Sequence, residues 1–137
     1  MSERAKVTGI GGIFFRARDP VALADWYREH LGVALDPGST HAVFTANGDG
    51  TDGSGAQLVT VWSTFQLDTT YFGPGGRQWM VNYRVADLDA MRRQLIEAGA
   101  DVDEKVESYD YGRFGWATDP EGNRFELWEP PRGTPPT

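Results

Sequence analysis

The segment RARDPVALADWYREHLG, starting at Arg16, returns 68 residues later as RVADLDAMRRQLIEAGA, starting at Arg84. Arg16 aligns with Arg84, Asp19 with Asp87, Ala22 with Ala90, Leu23 with Met91 and Glu29 with Glu97. Self-similarity at a fixed spacing means that one supersecondary unit is used twice, which removes most one-off topologies. Each copy reads as a strand end, a cap and an amphipathic helix. Asp19 and Asp87 suit N-caps, because a short carboxylate accepts from the free N–H groups of the first turn, and Pro20 suits the first helical position. Leu23, Trp26, Tyr27 and Leu31 predict one apolar stripe, and Leu88, Met91, Leu95 and Ala98 the other. Gly32 and Gly99 follow as C-terminal stops.

A strand is predicted ahead of each helix, over 7–16 and 78–85. Three extended runs follow each helix, over 33–36, 40–46 and 57–65 in the first half and 102–108, 112–118 and 124–129 in the second. Turn chemistry separates them: DPGS, then NGDGTDGSG, and finally DPEGN, whose proline fits a type I turn. QLDTTYFGPGGRQ joins the halves, and the PPRGTPPT tail is expected to fray. The expected class is α+β: two tandem βαβββ modules, about 7–65 and 78–130, in one domain over residues 1–137. A lone module leaves one sheet face bare. Two modules set edge to edge make a curved mixed sheet with helices outside and a concave cavity where a ligand would go.

Charge narrows the partners. Thirteen Lys and Arg against 20 Asp and Glu give a net charge of -7, which argues against a nucleic-acid partner, whose phosphates need a basic surface. The absence of cysteine excludes disulfides, thiolate catalysis and thiolate-bound zinc. MSERAKVTGIGG lacks the apolar core of a signal peptide and no run is long enough to cross a bilayer, so no membrane partner is expected and a cytoplasmic location is the default. Five Trp, seven Phe and five Tyr are enough both to fill a core and to line a pocket for an apolar or flat ligand.

Two stretches, GIGGIFFRARDPVALADWYREHLGV and YGRFGWATDPEGNRFELWEP, resemble the glyoxalase, bleomycin-resistance and extradiol dioxygenase (vicinal oxygen chelate) superfamily, over about residues 7–130. The resemblance implies a homodimer with pockets near the subunit junction. It does not fix an activity, because the scaffold hosts lyases, isomerases, dioxygenases and drug-binding proteins. Metal-using members take ligands, usually His, Gln or Glu, from four inward strand positions. Carried onto this chain, those positions fall on Gly12, near Trp62, on Met80 and on Glu126. Glycine has no side chain, and Met and Trp are poor ligands for a hard divalent ion, so neither a metal nor a cofactor is expected. His41, on a predicted strand, could add one ligand from another direction, but a lone strand histidine is more often packed or exposed. His30 suits a helix C-terminus.

Glu126 should share a strand face with Arg124 and Trp128, while Phe125 and Leu127 face the helices. A buried carboxylate needs a partner, and Arg16 or Arg84 is the natural candidate. The first reading is a binding protein in which Phe14, Trp62, Met80 and Trp128 supply area and Arg16, Asn82, Arg84 and Glu126 supply polarity. The alternative is a lyase or isomerase of glyoxalase type, with catalytic Glu126 as general base and Arg16 or Arg84 holding a developing oxyanion. A metal-dependent dioxygenase fits worst, and a partner-binding surface module is a third reading. GDGTDG precedes a strand and not a helix, so it cannot cradle a pyrophosphate. The acidic loop from Asn47 has Asp52 and Leu58 where a calcium loop needs Gly and Glu. Tyr71 and Phe72 in TTYFGPGG fit lid aromatics, packing at the module junction or a dimer contact.

Overall fold

The structure, a computed structural model, describes residues 4–45 and 59–131. The NGDGTDGSG stretch, the adjoining ends of two predicted strands and the tail past residue 131 lie outside the described residues.

The chain runs β1 (Val7–Ala17), α1 (Pro20–Leu31), β2 (His41–Thr45), β3 (Val59–Gln66), β4 (Trp79–Val85), α2 (Leu88–Glu97), β5 (Asp101–Val102), β6 (Glu107–Tyr109), β7 (Gly112–Thr118) and β8 (Arg124–Glu129). Both helices start as their sequences require. Asp19 accepts from the Ala22 N–H and Asp87 from the Ala90 N–H, each at 3.0 Å. Pro20 takes the first helical position, and Gly32 ends α1 in the left-handed region at φ 70°.

The strands form one mixed, curved, open sheet in the order β2-β3-β1-β4-β8-β7-β5, with β6 also on β7. The repeat is visible in the pairing. β1 runs parallel to β3 as β4 does to β8, and β2–β3 and β7–β8 are antiparallel. The halves meet where β1 pairs antiparallel with β4. This is the α+β architecture expected from the two βαβββ units.

Two strand predictions need correction. Residues 33–36 are not a strand. The Leu35 N–H closes on Val33 O at 2.8 Å, which uses the donor a ladder would need, and Leu35 is buried against Ala24 and Ala42. The run 102–108 is split into β5 and β6, because the chain leaves β7 after Asp103 bonds Trp116 O at 2.9 Å.

Register assigns every side chain to a face. Ile13, Phe15, Val81, Val85, Leu127 and Ala117 belong to the helix-facing side. There Leu88 and Met91 of α2 bury against Val85 and Leu127, each such side chain contributing about 1.5–3 kcal/mol by leaving water. The stripe predicted for α1 is corrected: Trp26 and Leu31 are 50% and 63% exposed, while Ala24 is fully buried. A small residue brings α1 close to the sheet, and Trp26 stacks outward on His30 at 4.8 Å.

The opposite, concave face carries Phe14, Val61, Met80, Asn82, Phe114, Trp116, Glu126 and Trp128. It is not left bare. The linker between β3 and β4 lays Phe72, 0% exposed, against Phe14, Met80 and Trp116, with Tyr71 beside it. Arg16 fastens this linker, donating to the carbonyls of Arg77 (2.5 Å), Leu67 (2.6 Å) and Thr69 (2.7 Å). No helix among the described residues is long and apolar enough to cross a membrane.

Candidate functional site

The site begins at the DPEGN turn. The Asp119 carboxylate accepts from the N–H groups of Glu121 and Asn123, both at 2.9 Å, which fixes the β7–β8 register and sets Trp116 opposite Glu126. On the other side β4 sets Asn82 opposite Glu126. Glu126 is 2% exposed. Asn82 Nδ2 donates to its Oε1 at 2.6 Å, and Trp116 Nε1 to its Oε2 at 3.0 Å. The Tyr71 hydroxyl also donates to Oε2. Tyr71 stacks on Phe65 at 5.7 Å and meets Trp116 edge-on at 6.1 Å. Arg124 donates to Tyr71 O at 3.1 Å and lies over the Trp116 ring at 5.6 Å.

Burial pushes the Glu126 carboxyl above its ordinary value, while the donors from Tyr71, Asn82 and Trp116 and the charge of Arg124 pull it back. Burial, then the neighbouring carboxylate, push the Tyr71 phenol upward. A raised folded-state value means that the folded protein binds the proton more tightly than the unfolded chain. Glu126's stability contribution is therefore full below the ordinary glutamate range and is lost as pH rises through the folded value. Glu126→Gln lacks that loss, and the Asn82 amide can turn its Oδ1 toward the new N–H. Urea titrations should find Glu126→Gln gaining on the natural protein as pH rises above the ordinary glutamate range. A gap that does not change with pH would show that Glu126 titrates normally.

The four positions that the resemblance assigns to metal ligands can be tested on this geometry. Gly12 faces the concave side, but the Phe14 ring fills its corner: a Cβ on Gly12 would lie 2.7 Å from that ring. Across β3 the residue opposite Gly12 is Val61. Met80 is 1% exposed within the aromatic cluster. Both Glu126 oxygens already accept from N–H and O–H groups, and no group of three or more His, Cys, Asp or Glu among the described residues could hold a metal. These residues do not fit a divalent ion. His41 shares the concave face through its pairing with Ser63, but β2 is four strands from β8.

The expected site residues divide. Phe14, Met80, Asn82, Glu126 and Trp128 come together on one face. Trp62 does not: it lies one residue past Val61 and packs on the helix side against Phe15 and Tyr27, at 5.2 and 5.1 Å. Neither arginine pairs with Glu126. Arg16 holds the linker, and Arg84 lies over Gly9 and donates to Val59 O at 2.9 Å. Trp116 and Tyr71 hold the carboxylate instead. Trp116 was legible, since counting back through the hairpin from Glu126 reaches it. Tyr71 carried no such signal, because its place depends on how the linker folds.

Asn82 reaches Glu126 only because Gly11 has no side chain. A Cβ there would lie 2.2 Å from Asn82 Oδ1 and 2.8 Å from the Trp128 ring. Gly11→Ala should therefore cost about 1–3 kcal/mol, as overpacking does, and should shift the Trp116 indole N–H resonance. An unchanged melting temperature and spectrum would contradict this packing.

A family model described as a glyoxalase-like domain matches residues 12–128. The chain is 32% identical over 124 residues to the anthracycline biosynthesis protein DauV of Streptomyces sp. (strain C5), across 80% of this chain and 42% of that protein. It therefore spans less than half the length of that relative. Among solved structures, methylmalonyl-CoA epimerase from Mycobacterium tuberculosis aligns with TM-score 0.56 at 22% identity, covering 96% of this chain and 93% of that one. Methylmalonyl-CoA epimerase in complex with methylmalonyl-CoA and NH4+ aligns with TM-score 0.61 at 16% identity, covering 91% and 96%. The Mn(II)-bound glyoxalase from Novosphingobium aromaticivorans aligns with TM-score 0.56 at 20% identity, covering 91% of this chain and 40% of that one.

Proposed function

The chain belongs to the glyoxalase-like domain family, and on that premise we propose that it binds a small aromatic molecule on its concave face without a metal. One observation carries this reading. The cross-strand pair Phe114 and Trp128 lies next along the hairpin from Trp116 and Glu126, with parallel rings 6.1 Å apart. Tyr109 and Tyr111 extend that wall outward and are 49% and 60% exposed. An exposed aromatic wall leading to a buried carboxylate suits a flat ligand with one polar group. Phe14, Met80 and Asn82, buried beneath Phe72 and the linker, would back the site from below, with Glu126 as the polar anchor. The similarity to a protein of anthracycline biosynthesis points toward the same ligand chemistry.

Native mass spectrometry of the protein as purified, with tryptophan quenching by 2-naphthol, tests the reading. A retained aromatic molecule, or quenching lost in Trp128→Ala, is expected. Saturable binding that Trp128→Ala leaves intact would contradict it.

A second reading, a lyase or isomerase with Glu126 as base, is favoured by one observation: Glu126 is a carboxylate buried on the concave face, where burial pushes its carboxyl upward. Glu126→Gln would then lose turnover while keeping the ligand. The first reading also takes the protein as a cytoplasmic homodimer of a single domain over residues 1–137. The half-exposed Val43 and Phe44 on edge strand β2 support the dimer, and light scattering at micromolar concentration would detect it.

A further inference from the structure

Resting on the reading just given, we infer that the Tyr71 side chain is a stand-in for the ligand, and that the molecule displacing it carries an aromatic hydroxyl. The carboxylate end of the site is built only to accept. Glu126 takes Asn82 Nδ2 on one oxygen, and the Trp116 indole and the Tyr71 hydroxyl on the other. The buried polar atom beside it without a partner among the described residues, Asn82 Oδ1, is another acceptor. Asn82 cannot turn it away, because its Nδ2 is committed to Glu126. A molecule that moved Tyr71 aside and brought no donor would leave a buried carboxylate oxygen short of a bond, and one that brought an anion would repel it.

The ring space has an equally definite shape. Tyr71 lies flat on Phe65, with 7° between the planes, and edge-on to Trp116 at 82°. This slot takes a planar ring with its hydroxyl pointing at Glu126 Oε2. Its occupant can leave without unfolding the linker. Phe72 is fully buried on one side of Tyr71, Arg16 holds Leu67 O and Thr69 O on the other, and Arg124 holds the Tyr71 carbonyl. Tyr71 itself is only half-buried, so rotation of one side chain exchanges an internal phenol for an external one. The exchange trades like bonds for like, and selectivity then falls on the donor.

Titrations of 2-naphthol and 2-methoxynaphthalene, equal in ring and different in donor, test this with the Trp116 indole N–H resonance as local reporter. The natural protein should bind 2-naphthol with movement of that resonance, and 2-methoxynaphthalene at least about tenfold more weakly, the scale of one hydrogen bond to a charged group. Tyr71→Phe removes the internal competitor's bond before either probe arrives, so both probes should tighten by about tenfold on the same scale, with the ratio between them kept. Equal affinities of the two probes, or movement of other indoles without Trp116, would overturn the hydroxyl assignment and leave the aromatic-binding reading standing. Failure of both probes with both proteins would overturn the two together. Should Tyr71→Phe fail to fold, the ratio of the two probes on the natural protein decides.

Discussion

Replacing Phe72 with alanine should cost about 3–5 kcal/mol of stability, the usual effect of truncating a buried phenylalanine. The size of this effect is unexpected for a residue in a linker with neither helix nor strand. Phe72 is 0% exposed and packs on Phe14, Met80 and Trp116, which come from three different strands. The guanidinium of Arg16 lies over its ring at 5.2 Å. The linker is therefore part of the core of the concave side. Leu67, in the same linker but 50% exposed, supplies the control, and its alanine variant should move stability by no more than about 0.5 kcal/mol. Urea denaturation of both variants checks the contrast. Equal and small effects would mean that Phe72 does not sit in the sheet's hollow.

The second large effect is expected at Arg16. Arg16→Met keeps the aliphatic stem but removes the donors that hold the carbonyls of Arg77, Leu67 and Thr69. Each orphaned buried carbonyl costs about 1–3 kcal/mol. Water can reach part of this exposed linker, so the total should be on the order of 3 kcal/mol, not the full sum. Loosening should spread to Tyr71, seen as faster amide exchange from Leu67 to Gln78. A stability loss without faster exchange there would show that Arg16 acts on something other than the linker.

The sequence was most informative where structure is decided locally. Two aspartates and a proline announced both helix starts, and DPEGN announced the hairpin that turns Glu126 inward. The alternation around Glu126 gave its face correctly, because a strand's period of two admits only two answers. Long-range register was harder. β3 pairs parallel with β1 after a helix and another strand, with no tight turn between them to fix the count. A slip of one residue put Trp62 where Val61 belongs and so moved it to the wrong face. The partners of Glu126 were misjudged for a related reason. Charge suggested Arg16 or Arg84, but backbone carbonyls brought in by the linker and by β3 claim those arginines. The carboxylate is left to neutral donors on β4, β7 and the linker.

The account rests on Glu126 being held by hydrogen bonds and not by an ion. Titrating metal-stripped protein with Zn, Ni, Mn and Fe(II), while following the Trp116 indole N–H resonance, tests this most directly. No stoichiometric binding and an unmoved Trp116 signal are predicted. One ion per chain that shifts Trp116, and no longer does so in Glu126→Gln, would contradict it.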